Sequence, residues 1–206
     1  LRTSNKVLMF TSFNADSGKT FISINLALSM AINGRRIVIV DLDLRKASLS
    51  RTVKSPRKGI SNYLGEQIED LNDIIKDSLH KNLDVIPVGT IPPDPTELLS
   101  SKRLDEMIGT LQNDYDYVLL DCPPTNIVAD TAIISKVADI TIFIARCGQF
   151  DCRLVPEIEN MYTEHKFNRL AILLNAIEFN SKYGYHKYCY HKYGSRYYYY
   201  DKYSEE

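Results

Sequence analysis

The run Ser17-Gly18-Lys19-Thr20 sets a glycine, an amine and a hydroxyl in the order that grips a phosphate. It follows the apolar run KVLMFTS (6–12) and opens the run KTFISINLALSMAIN (19–33). Glycine lets backbone approach a phosphate, lysine places a positive charge beside the β- and γ-phosphates, and the hydroxyl can join a magnesium shell. The free N–H groups of a helix start would face the same anion. A full loop of this type carries another glycine five positions before Gly18, where this chain has Phe13. The bland alternative is a strand-to-helix turn with a solvated lysine.

Two acidic segments weigh against the bland alternative. IVIVDLDLRK (37–46) ends an apolar run with Asp41 and Asp43, which are expected to share one face of a strand at i and i+2. Such a pair can hold Mg²⁺ and accept a proton. YDYVLLDCPP (115–124) ends another run in Asp121, where a second anchor for the metal and its waters is expected. Each aspartate alone reads as a turn or cap residue. Three of them after apolar runs, behind Gly-Lys-Thr, read as a nucleotide site.

The elements that must position these groups follow a repeated alternation. Short apolar, β-branched runs lie at 6–12, 35–43, 83–89, 115–121, 139–145 and 170–176. Runs that are apolar throughout suit strands buried on both faces, hence a mainly parallel sheet. Helices are expected at 19–33, stopped by Gly34, at 96–114 with Thr96 as N-cap, at 126–138, and at 153–165 with Pro156 in the first turn. The alternation predicts a doubly wound α/β fold, with ligands at the carboxyl ends of its strands.

The 206 residues suffice for one domain with a substantial core. A net charge of −1 gives no general attraction to nucleic acid or anionic membrane, and no apolar run approaches a bilayer span. The four cysteines form no CxxC pair, so a zinc site is weakly supported, and Cys122 reads as a small buried residue. Arg51, Lys54, Arg57 and Lys58 read as a solvated loop, with a contact surface for a neighbouring subunit as the weaker possibility. The chain opens without Met and is expected to be part of something longer.

After Asn180 the aliphatic residues almost vanish, and ten of the 14 tyrosines fall in the last 24 residues. Such a segment cannot bury a core and is expected to be a flexible tail, giving a domain at 1–180 and a tail at 181–206. Taken alone it could be a sticky low-complexity segment or a binder of single-stranded nucleic acid. His186 and His191, five apart, read as chance rather than a metal site.

The sequence resembles the bacterial tyrosine kinases that accompany capsule and exopolysaccharide export. The resemblance rests on the variant phosphate loop FNADSGKT, on VDLDLRK, on the proline-rich IPPDPTELLSS (91–101), on YDYVLLDCPP, and on the tyrosine-rich C-terminus. It implies a P-loop fold of the partitioning-ATPase type and an ATP- and Mg²⁺-dependent protein-tyrosine kinase. Asn14, Ala15, Asp16, Ser17, Gly18, Lys19, Thr20 and Phe21 would then bind ATP. Thr20, Asp43 and Asp121 would hold Mg²⁺; Lys19, Asp41 and Asp43 would be catalytic, with Asp41 accepting the phenolic proton.

The resemblance makes the tail an acceptor: Tyr183, Tyr185, Tyr188, Tyr190, Tyr193, Tyr197, Tyr198, Tyr199, Tyr200 and Tyr203 would take phosphate. A tail of this length could extend about 80 Å at ~3.3 Å per residue, enough for its own site or a neighbour's. The family implies the neighbour's, within a ring-like homo-oligomer at the cytoplasmic face of the inner membrane. It also implies a membrane region or membrane adaptor as partner, a cognate tyrosine phosphatase, and no nucleic acid. Arg2 stands where the last arginine of the family's assembly motif would fall. Two other classes stay open: a partitioning-type ATPase switch, whose loop would have lysine where Asn14 stands, and a non-catalytic nucleotide-sensing adaptor.

Overall fold

In the computed structural model the apolar runs form the parallel strands that the alternation predicts. The structure describes residues 6–177 except 54–57, 78–79 and 126–127. The strands are β1 (Val7–Ser12), β2 (Ile37–Asp41), β3 (Lys76–Asp77), β4 (Leu83–Ile86), β5 (Tyr117–Asp121), β6 (Ile140–Arg146) and β7 (Leu170–Asn175). They lie in the order β3-β4-β2-β5-β1-β6-β7. Every pairing is parallel except that of β3, a two-residue edge antiparallel to β4 that no apolar run announced.

The helices are α1 (Lys19–Ile32), α2 (Ser48–Thr52), α3 (Ile60–Leu64), α4 (Pro95–Leu99), α5 (Lys102–Asp114), α6 (Val128–Ile134) and α7 (Val155–Thr163). The two faces of the sheet bury separate clusters. One gathers Val7, Met9, Val38, Val40, Val118 and Leu120 with the apolar face of α5. The other gathers Phe10, Ile37, Ile39 and Leu119 with Ala27 and Ala31 of α1. Helices thus cover both faces, and runs apolar throughout are what two covered faces require.

The structure corrects several boundaries. The stretch 96–114 is two helices, α4 and α5, broken at Ser100–Ser101, with Ser101 in the N-cap position of α5. Thr96 does not cap α4. Asp94 does, accepting from the Glu97 N–H, and Pro95 opens the helix, where its missing N–H costs nothing. Strand β2 ends at Asp41, so Asp43 lies beyond it in a turn and shares no strand face with Asp41. Gly34 sits just past α1 at φ 84°, and Pro156 lies in the first turn of α7. Arg51 and Lys58 are exposed. The chain divides into two units at Ala176/Ile177. Apart from Ile177 the second unit, and with it all ten C-terminal tyrosines, Arg2, Lys54, Arg57, His186 and His191, lies outside the described residues.

Candidate active site

Strands β1, β2 and β5 are neighbours, and their carboxyl ends bring the loop and the acids together. Asp41 and Asp121 are register partners across β2 and β5. The Asp43 N–H donates to Asp41 Oδ1 at 3.2 Å, which folds the turn after β2 back over its end. Asp41 Oδ2 accepts from both the backbone N–H (2.8 Å) and the hydroxyl (2.6 Å) of Ser50 on α2. The Ser50 hydroxyl in turn accepts from the Val88 N–H at 2.8 Å.

Lys19 is no solvated turn lysine. It is 8% exposed, and among the described residues its hydrogen bond runs to Ser12 Oγ at 3.2 Å. Burial lowers its pKa, against the opposing pull of Asp121 and then Asp43. An ammonium has three donors, so this lysine has capacity left for an anion in the loop. Beside it the Thr20 hydroxyl donates to Asp121 Oδ2 at 2.7 Å. The other oxygen, Asp121 Oδ1, is buried without a hydrogen-bond partner.

The loop is held open by its carbonyls. Asn14 O accepts from the hydroxyls of Ser12 and Ser17, Ala15 O from Gln149 Nε2 (3.0 Å), Asp16 O from Arg146 Nη1 (2.8 Å) and Ser17 O from Asn175 Nδ2 (2.9 Å). With these carbonyls engaged, the loop's N–H groups are the polar atoms left for a ligand. Gly18 has φ 96°, and a Cβ there would meet Asn175 Nδ2 at 2.3 Å, so the close approach requires glycine. Phe13, in place of the usual first glycine, packs edge-to-face against Phe143 and Phe150 at 6.3 and 6.4 Å and pins the loop to the core. Phe21 is 58% exposed, and its backbone N–H lies in the first turn of α1, among those a helix start leaves for a ligand.

Arg146, Gln149 and Asn175 were not singled out from the sequence. Arg146 and Asn175 end β6 and β7, the carboxyl ends where this fold places ligands, and that position was the available signal. Cys122 is fully buried, as its apolar setting implied.

The acids hold protons unusually well. Burial pushes the Asp121 carboxyl up to about 7, with Thr20 opposing, and the Asp41 carboxyl up to about 6, with the Ser50 donors opposing. Both ordinarily titrate at 3.8, so between about pH 4 and pH 7 the folded chain binds protons that the unfolded chain has released. Stability from these groups is therefore fully present below pH 4 and is lost as pH rises through 6 to 7. Asp121→Asn is expected to raise the Tm of the ligand-free chain more at pH 8 than at pH 5, measured by calorimetry. An equal change at both pH values would contradict this.

The site fits a hard cation bound together with phosphate. Among the described residues no three His, Cys, Asp or Glu side chains gather to hold a metal by themselves. Magnesium asks for less: one or two carboxylates, a hydroxyl, water and phosphate oxygens. The unpartnered Asp121 Oδ1 and the Thr20 hydroxyl are oxygen donors of that kind.

Comparison with known proteins agrees with this geometry. The family model described as an AAA domain matches residues 5–172. The tyrosine-protein kinase CpsD of Streptococcus agalactiae serotype III is 35% identical over 175 residues, spanning 84% of this chain and 75% of CpsD. The tyrosine-protein kinase wzc of Salmonella typhimurium is 32% identical, spanning 93% of this chain and 26% of that longer protein. The solved kinase domain of the Escherichia coli tyrosine kinase ETK superposes with a TM-score of 0.81 at 29% identity, covering 90% of this chain and 72% of that one. The chain therefore belongs to the AAA-domain family and, within it, to the bacterial tyrosine-protein kinases.

Proposed function

We propose that this chain transfers the γ-phosphoryl group of ATP to tyrosines 183–203 of a neighbouring copy. In doing so it would regulate capsular or exopolysaccharide synthesis and export. The observation that carries the reading is the loop itself: carbonyls turned out and engaged, Lys19 buried beneath it, and Thr20 joined to Asp121. Its backbone N–H groups from Asn14 to Phe21 cradle the phosphates, and Lys19 meets the charge that spreads over the transferred group. Thr20, Asp43 and Asp121 would hold magnesium, whose part is to neutralise the phosphate oxygens. Asp41, ionised near neutral pH yet with raised proton affinity, accepts the proton of the incoming phenol.

The positioning of the loop can be tested separately from the chemistry. Asn175→Ala removes one of its three long-range clamps. It is expected to weaken ATP binding about tenfold, the worth of one good hydrogen bond, in titration calorimetry.

The tail supplies acceptors in number, and their modification has an electrostatic consequence. From Ser181 onward the chain carries five Lys or Arg and three Asp or Glu. Each phosphate adds nearly two negative charges, so a few reverse the sign of the segment. Phosphorylation would then expel the tail from the neighbour's site and loosen a ring-like assembly. Such an assembly would lie at the cytoplasmic face of the inner membrane, joined to a membrane region or adaptor, with a tyrosine phosphatase to reset it. Among the described residues no helix is long and apolar enough to cross a membrane. The fully phosphorylated chain is expected to sediment as a smaller species than a variant with all ten tail tyrosines changed to Phe. Equal sedimentation would contradict the release step.

The test of the whole reading is incubation with Mg²⁺-ATP followed by intact-mass measurement. Successive phosphate-mass additions support the kinase. ADP release with no mass gain supports the partitioning-type switch instead.

A further inference from the structure

The acceptor segment has a regularity that the phosphate chemistry does not demand. Every one of the five Lys or Arg residues after Ser181 stands directly before a tyrosine: Lys182, Lys187, Lys192, Arg196 and Lys202. The four tyrosines outside that segment, Tyr63, Tyr115, Tyr117 and Tyr162, follow Asn, Asp, Asp and Met. The other five tail tyrosines follow Gly184, Cys189 or another tyrosine, so a site that reads the residue before the phenol would favour five of the ten acceptors.

The fold offers a candidate linked to the catalytic acids through hydrogen bonds. A groove of about 230 Å³ runs between α3 and the proline-rich turn before α4, lined by Ile91, Pro92, Pro93, Asp94, Glu97 and Leu98 among others. It is tied to Asp41 by a short chain of hydrogen bonds. The Ser50 hydroxyl donates to Asp41, the Val88 N–H donates to that hydroxyl, and Val88 O accepts from the N–H of Ser61, which lines the groove. On the other side Arg45, two residues after Asp43, donates to the Thr96 hydroxyl and pairs with Asp130 at 2.9 Å, fixing α4 against the same turn. Asp94 and Glu97 are exposed, and among the described residues neither forms an ion pair. Ile91 is half exposed beside them.

We infer that this groove receives the backbone of an acceptor peptide from a second copy of the chain, with Asp94 and Glu97 pairing with the Lys or Arg that precedes the tyrosine. The inference rests on the kinase reading above and names the peptide class that site selects. In an extended peptide neighbouring side chains point to opposite faces. When the phenol points toward Asp41, the preceding cation points away from the cleft, so the acid that reads it must stand beside the cleft. Ile91 and the two prolines offer apolar surface to the aliphatic stem of that cation. The tail's basic residues and the groove's acids are of opposite sign, which also speeds encounter between copies.

The test uses the full chain and peptides copied from residues 190–196, with Tyr190→Phe so that Tyr193 is the single acceptor. One peptide keeps Lys192 and another carries Lys192→Glu. The chain should phosphorylate the lysine peptide about five- to tenfold more efficiently, since each exposed ion pair contributes modestly. Added salt should erode the preference. Asp94→Asn with Glu97→Gln keeps an N-cap at residue 94, because Asn caps as well as Asp, and should reduce the preference to nearly none while leaving the KM for ATP unchanged. A preference that survives the double variant, or is absent from the wild type, overturns the groove. Autophosphorylation of the chain separates the two readings. If its own tyrosines gain phosphate without any peptide preference, the groove fails and the kinase stands. If no tyrosine anywhere gains phosphate, both fall.

Discussion

Lys19→Met is expected to abolish tyrosine phosphorylation, by about a thousandfold or more, in a chain that folds at least as well as the wild type. Removing one preorganised donor aimed at developing charge costs about 10²–10³ in rate, and Lys19 also gathers the phosphates it polarises. Stability should move the other way. The lysine is buried, its pKa is lowered by that burial, and the opposing pull comes from Asp121 and then Asp43. Methionine of similar length fills the same space, and because burial outweighs the pull of Asp121 and Asp43 on the ammonium, removing the charge should cost the fold nothing. Intact mass after Mg²⁺-ATP, with calorimetry of the ligand-free variant, reads both quantities. A large loss of Tm would show that Lys19 serves the fold instead.

Asp41→Asn is expected to lower the transfer rate about 10²–10⁴-fold, the usual worth of a positioned general base, with the KM for ATP nearly unchanged. The wild-type rate should fall on the acid side as the carboxyl takes up its proton near pH 6. Asn at this position keeps the two Ser50 donors on its oxygen, but its amide nitrogen then faces the Asp43 N–H. Part of any loss could therefore come from a shifted turn, so a second variant isolates the proton transfer. Ser50→Ala removes a hydroxyl donor that favours the ionised form of Asp41, so the acid limb of the pH–rate profile should move to higher pH. A merely structural role for Asp41 would leave that limb in place. Asp43→Asn provides the contrast, because the Lys46 N–H is the hydrogen bond the described residues give its side chain. Its loss should respond to added magnesium.

Much of this arrangement was legible because buried parallel strands have a plain signature. All six apolar runs became strands, and the three acids at the ends of two of them fell into one site. Edges were harder to read. Lys76–Asp77 pairs as a strand only because β4 presents an open side to it, a tertiary fact without local pattern. The break at Ser100–Ser101 was hidden because the flanking residues keep helical character, while the cap moved to Asp94 through the proline that follows it. Asp43 was placed on a strand because the run reads as continuous. In the structure the Asp41 side chain captures the Asp43 N–H, and the chain turns. The loop's clamps were illegible for a different reason. Arg146, Gln149 and Asn175 lie about 130 to 160 residues from the carbonyls they bind, and only sheet order brings them there. The absent glycine at position 13 proved informative, since Phe13 does by packing what a bare loop would leave undone.

The central claim is that the phosphoryl group leaves ATP at one chain's loop and arrives on another chain's C-terminal tyrosines. An active chain with all ten tail tyrosines changed to Phe, mixed with full-length Lys19→Met chain and Mg²⁺-ATP, tests it directly by intact mass and peptide mapping. The account predicts several phosphates on the Lys19→Met chain, confined to residues 183–203. Nucleotide consumption with both chains unmodified, or phosphate lodged on tyrosines of the folded domain, would contradict it.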